Sequence, residues 1–212
     1  IHDKSDFVLT TELGVSYTEL LGLFSGSAIY CHSVTGESVI EGFTIAHSYA
    51  GGGGAISCAV SSLTICDNVI FDCSASGIEG QDGAGGAIYV HLSSAIIRGN
   101  TIYDCRVGTG GTGGSIYLSS SPDVTIEENI IAFCTGEAIH SYTDVPVILC
   151  NDVWGNTPTN YGGIIPDQTG TNGNLSMDPL FCDALNEDFT LHADSPCLDA
   201  PGCGLIGAFA QG

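Results

Sequence analysis

The chain has 212 residues, 43% of them hydrophobic and 13% charged, with 24 acids against three bases and a net charge of −21. So much apolar content excludes a disordered polymer, and a surface of that sign repels nucleic acid and anionic membranes. No apolar run approaches the ~20 residues of a membrane-spanning helix, and thirty glycines against seven prolines point to tight turns rather than helices.

The chain begins at Ile1 with no visible signal peptide, and its first stretch, FVLTTELG (7–14), already reads as strand. A mature form or an excised piece is therefore expected, with an uncapped first coil whose free strand edges invite association. From residue 26 a short phrase recurs: GSAIYC (26–31), GGAISC (53–58), GGAIYV (85–90), GGSIYL (113–118) and GEAIHS (136–141). Its isoleucines stand at 29, 56, 88, 116 and 139, in steps of 27, 32, 28 and 23 residues. That is the variable period of a solenoid.

A second phrase follows each copy of the first. It reads LTICDNVIFDC (63–73), AIIRGNTIYDC (95–105) and VTIEENIIAFC (124–134), with weaker versions in VIEGFTIAHS (39–48) and PVILCNDVWGN (146–156). Ile65, Ile97, Ile126 and Ile148 align, as do Ile70, Ile102, Ile131 and Val153. Short β-branched runs with a period of two are strands. Several strands per unit, stacked unit on unit about 4.8 Å apart, make a right-handed parallel β-helix, here of roughly six to seven coils. Asn68, Asn100, Asn129 and Asn151 align as well, and an inward column of asparagines can bond coil to coil as a structural ladder.

Residues 155–177 depart from the repeat and read as an irregular surface excursion; residues 178–212 form a closing segment, and no domain boundary interrupts residues 1–212. The repeats and the tail DPLFCDALNEDFTLHADSPCLDAPGCGLIGAF (178–209) resemble the right-handed β-helix repeat proteins that environmental bacteria secrete or display, within the pectate-lyase-like β-helix superfamily. The resemblance covers almost the whole chain. It implies the fold and an extracellular or cell-surface setting, but no particular activity, because this fold carries many.

Alternation places two columns outside. One holds Tyr30, Ser57, Tyr89, Tyr117 and His140; the other holds Ala46, Phe71, Tyr103, Ala132 and Trp154. The aromatic members either stack coil on coil or offer a platform to a sugar ring or partner surface. Ten cysteines fall partly into columns (Cys31 with Cys58; Cys73, Cys105 and Cys134), where packing is favoured over bridging. Cys182, Cys197 and Cys203 lie in the closing segment and are candidates for at least one disulfide. No spacing supports a zinc site.

Catalysis finds little support. A uronate lyase needs a base and a cationic clamp, for which only Arg98 and Arg106 are available. A glycoside hydrolase needs paired carboxylates. Asp72 and Asp104 occupy equivalent places one coil apart, in a turn setting that favours backbone hydrogen bonds. The glycine-rich stretches 50–54, 77–86 and 108–114 precede strands rather than helices, so they are turns and not phosphate cradles. No cofactor is expected; calcium is the one cation the acids could take up, Glu79 and Asp82 weakly.

The expected function is therefore a non-catalytic structural or adhesive β-helix, self-associating head-to-tail into a fibre or surface layer. The alternative is a carbohydrate-binding or carbohydrate-active protein, either polysaccharide lyase or glycoside hydrolase.

Overall fold

A computed structural model describes residues 26–35, 38–76, 83–108, 111 and 113–212. The strand-like start of the chain, Glu79 and Asp82 lie outside these residues. Most of the described strands stack in parallel into three long sheets around one apolar core; Tyr49–Ala50, Ser74–Ala75 and Arg106–Val107 form a shorter parallel sheet, and the closing segment carries an antiparallel pair. Sheet A holds Ile29–His32, Ile56–Ala59, Ile88–His91, Gly114–Ser119, Glu137–Ser141 and Tyr161–Gly163. Sheet B holds Ser38–Glu41, Ser62–Cys66, Ser94–Arg98, Thr125–Glu127 and Val147–Leu149, and sheet C holds Thr44–Ala46, Val69–Phe71, Thr101–Tyr103, Ile130–Ala132 and Asp152–Trp154. This is the right-handed parallel β-helix that the repeats predict. Among the described residues no helix is long and apolar enough to cross a membrane.

The aligned isoleucines sit in register as the repeats require. Ile29, Ile56, Ile88, Ile116 and Ile139 pair in sequence along sheet A, and Tyr161 extends the column. Ile56, Ile65, Ile70, Ile88, Ile97 and Ile102 are wholly buried. Each such side chain contributes about 1.5–3 kcal/mol by leaving water, and repetition over coils makes the core continuous.

Three corners per coil turn the chain from one sheet to the next, and each uses a left-handed residue. Asp67, Gly99, Glu128 and Cys150 form the B-to-C corner, and His47, Asp72, Asp104, Phe133 and Gly155 form the corner after sheet C. Ser33, Val60, Leu92 and Ser120 form the A-to-B corner; across all three columns φ lies between 47° and 66°. For a residue with a Cβ this conformation costs about 1–2 kcal/mol, so something must hold it.

In the coils after the first, where Val34 follows Ser33, the polar residue after the corner does so. Asn68, Asn100, Asn129 and Asn151 point inward and are fully buried. Their side-chain amides donate along the stack, Asn68 to Asn100 at 3.0 Å, Asn100 to Asn129 at 2.9 Å and Asn129 to Asn151 at 2.9 Å. The accepting oxygen also takes the backbone N–H one coil back, as from Asn100 to Asn129 at 2.9 Å. Asn amides have both functions in one group, two donors beside an acceptor with two lone pairs.

The other two corners repeat this pattern with smaller side chains. Ser93 donates to the carbonyl two residues earlier, His91, at 2.7 Å and accepts the Ser61 N–H at 2.9 Å. Cys105 likewise donates to the Tyr103 carbonyl at 3.5 Å, while its own N–H reaches Cys134 Sγ at 3.4 Å. The cysteine column is thus a hydrogen-bonding ladder of free thiols rather than a row of bridges. Burial pushes the Cys105 thiol up, which keeps it protonated and able to donate.

Residues 155–177, expected to be an irregular excursion, carry part of a further coil. Tyr161–Gly163 pairs with Ile139–Ser141, and Asn174 accepts from Asn151 at 3.1 Å, adding a fifth rung to the asparagine ladder. Its glycine-, threonine- and proline-rich sequence hides the unit because only one short strand and two ladder positions, Asn156 and Asn174, are kept.

Asn129→Ala removes one rung and leaves the Asn100 backbone N–H without its acceptor, while the Asn100 amide keeps the Ile65 and Arg98 carbonyls. A buried group left unpaired costs about 1–3 kcal/mol, so urea unfolding should show a loss of about 1–3 kcal/mol; a loss within experimental error would show that the ladder does not hold the corners.

Candidate functional site

The two outward columns have different fates. In sheet A the register places Tyr30, Ser57, Tyr89, Tyr117 and His140 in one line, as expected. Tyr89 stacks on Tyr117 with centroids 5.7 Å apart, and Tyr117 on His140 at 5.0 Å. However, Tyr117 is buried and Tyr89 and His140 are half-buried, so an open platform is not what the column presents. The cover comes from the glycine-rich turns. A side chain at Gly113 would run into the Tyr117 ring, and one at Gly52 would touch Tyr89. His140 Nδ1 is further engaged by the Glu137 carboxylate. Only Tyr30 remains well exposed.

In sheet C the second column aligns as Ala46, Phe71, Tyr103, Ala132 and Trp154. The closing segment packs onto it. Its antiparallel pair Phe181–Asp183 and Asp188–Leu191 sets Phe189 against Phe71 at 5.2 Å and against Tyr103 at 5.3 Å, with Phe181 on Tyr103 at 5.8 Å. Phe71 is buried and Tyr103 and Trp154 are half-buried, a correction to the exposed surface that alternation alone implies. Alternation tells which side of a sheet a residue faces, not whether a distant segment returns to cover that side.

The tail is fastened covalently as well. Cys203 bonds to Cys150, 53 residues earlier, with Cα atoms 5.5 Å apart. Of the three cysteines expected to supply a disulfide, Cys203 does so, but with a partner from the coils. Cys182 is exposed and free, and Cys197 is buried and free. Cys197 instead donates its thiol to Asp152 Oδ2 at 3.2 Å, and Asp152 Oδ1 accepts the Met177 N–H at 3.0 Å. Asp152 is wholly buried beneath the tail, and burial raises its pKa to about 6, against the two hydrogen bonds that favour the anion. Burial also pushes the Cys197 thiol far up.

Four polar groups meet at the exposed corner after sheet C. Arg106 reaches Asp104 at 2.6 Å and Asp72 at 3.2 Å through the same nitrogen, and His47 Nδ1 lies 2.8 Å from Asp72. Asp72 and Asp104 are therefore brought together as their equivalent positions suggest, but with a guanidinium between them. Asp104 in turn raises the Arg106 pKa through hydrogen bonding and charge. Hydrolysis requires carboxylate lone pairs free to receive or deliver a proton or to attack, and here they are engaged by Arg106 and His47. His47 could have been found in the sequence, since it holds the same corner position one coil before Asp72.

Glu41, Cys66 and Asp67 bring three possible ligand atoms within 4.8 Å of one another. A thiol beside two carboxylates does not resemble the all-oxygen shell of calcium.

A model of the right-handed β-helix region matches residues 23–175. The chain belongs to this right-handed β-helix family. Comparison with curated proteins and with solved structures gave no match. Residues 176–212 lie beyond the match, and it is this part of the β-helix protein that seals sheet C.

The sign of the Asp152 effect follows from its raised pKa. The folded state holds the proton more tightly than the unfolded chain, so stability falls as pH rises from about 4 to 6. The cost is fully present above that window, about 2–3 kcal/mol. Asp152→Asn should remove this contribution to the pH dependence, flattening the slope in that interval, and melt higher than the parent at pH 7. Equal slopes of stability against pH for the two proteins would show that Asp152 ionises without cost.

Proposed function

We propose that this β-helix protein is a non-catalytic structural or adhesive component of a cell exterior. The observation that supports this reading is the internal use of its reactive and aromatic groups. The sheet C aromatics pack against the chain's own tail, the sheet A column lies under glycine turns, and Asp72 and Asp104 are tied to Arg106. An extracellular setting accords with the Cys150–Cys203 disulfide, a bond that reducing compartments disfavour. It accords also with a net charge of −21, which suits a cation-rich exterior.

One observation favours the alternative, a glycoside hydrolase. Carboxylates that share one guanidinium nitrogen stand close together, and a retaining pair needs a separation of about 5–5.5 Å. Displacement of Arg106 by substrate would then release them.

Incubation with neutral and acidic polysaccharides, with and without calcium, separates the two readings. The structural reading expects no new reducing ends and no unsaturated products in any of them. Turnover that disappears in Asp72→Asn and Asp104→Asn would replace it with the hydrolase. Binding without turnover, weakened in Tyr30→Ala, would make the protein a carbohydrate-binding adhesin.

A further inference from the structure

Sheet B is the broad face whose outer side the tail and the glycine turns leave open among the described residues. Its central column runs Val39, Thr64, Ile96, Thr125 and Val147, one residue per coil. Every member is β-branched, and Ile96 and Val147 are exposed at 44% and 55%. This face forms a shallow groove of ≈ 630 Å³, lined only by sheet B strands and the bordering Asp123. The neighbouring column reads Glu41, Cys66, Arg98, Glu127 and Leu149. Arg98, at the middle coil, interacts with Cys66. It forms no ion pair among the described residues, whereas Arg106 holds two carboxylates.

We propose that this face docks a second copy of the chain, about a two-fold axis that runs along the strands between the coils of Arg98 and Glu127. Such an axis reverses the order of the coils while keeping each column opposite itself. Arg98 then faces Glu127 of the second copy, and the same pair forms again by symmetry. Ile96 meets Thr125, and Thr64 meets Val147, so that two β-branched columns close on each other as stacked sheets do.

Charge selects this occupant. Glu41, Arg98 and Glu127 change sign along the column, so a uniformly charged polymer would meet a like charge at one step or another. Two chains of net charge −21 repel wherever they touch at random. A self-contact therefore needs a cation at its centre with an acid one coil away, and Arg98 with Glu127 supplies both. The proposal rests on the structural reading above and names a face-to-face contact that closes on itself, distinct from the head-to-tail stacking of coils expected from the sequence.

The test measures the mass of the full chain by sedimentation or light scattering. The parent should be a dimer. Arg98→Glu and Glu127→Arg should each weaken association by at least about tenfold, because each turns two attractive pairs into two repulsive ones. The double exchange should restore the dimer, which a folding defect would not do. Ile96→Lys, on an exposed side chain, should also give a monomer, with the circular dichroism melt of the parent. A parent that stays monomeric, a dimer indifferent to Arg98→Glu, or an exchange that fails to restore it would overturn the proposal. Polysaccharide turnover measured on the same samples keeps the two readings apart. Turnover by a dimer would sink only the structural reading, and an inert monomer would sink only the docking surface.

Discussion

Each coil must turn three times, and each turn places a left-handed residue where side chains with a Cβ are disfavoured. What makes this tolerable is the inward polar residue that follows. Asn, Cys or Ser there donates to a carbonyl two residues back and accepts the N–H of the coil before. The corner residue is then free to vary, which explains how Val60, Leu92 and Phe133 can occupy positions that suit glycine or aspartate better. The bond also fixes register, since a coil that slipped would leave several buried polar groups unpaired at once.

The same constraint organises the surface. Corners locked in register stack the residues between them, so a single outward position becomes a line down the molecule. Sheet C's line of aromatics is used by the chain itself. Phe181 and Phe189 fill it, the Cys150–Cys203 bond holds the returning strand, and Asp152 is trapped underneath. A buried carboxyl group at such a junction, with no basic partner among the described residues, makes the attachment of the tail sensitive to pH. Sheet B's line is aliphatic and threonine-bearing and lies open among the described residues, and it is the surface we propose for association.

Little of the chemistry expected of paired carboxylates survives this arrangement. Asp72 and Asp104 are neighbours because the repeat makes them so, yet Arg106 lies between them and His47 closes the outer side. A cluster that satisfies its own charges stabilises a corner; it becomes a reactive site only if a ligand opens it.

The repeat spacing, the aligned isoleucines and the asparagine column by themselves determined the solenoid, its inward faces and four of the five described rungs, because coil stacking depends on local periodicity that a sequence displays directly. The serine ladder and the bonding role of the thiols were less legible, since Ser93 and Cys105 look like ordinary small residues until the backbone places them after a left-handed corner. The pairing of Cys203 with Cys150, the burial of Phe71 and the burial of Asp152 beneath the tail were decided only by the tertiary structure. Each depends on where a segment without the repeat returns, and that is set by long-range packing between faces rather than by any period along the chain.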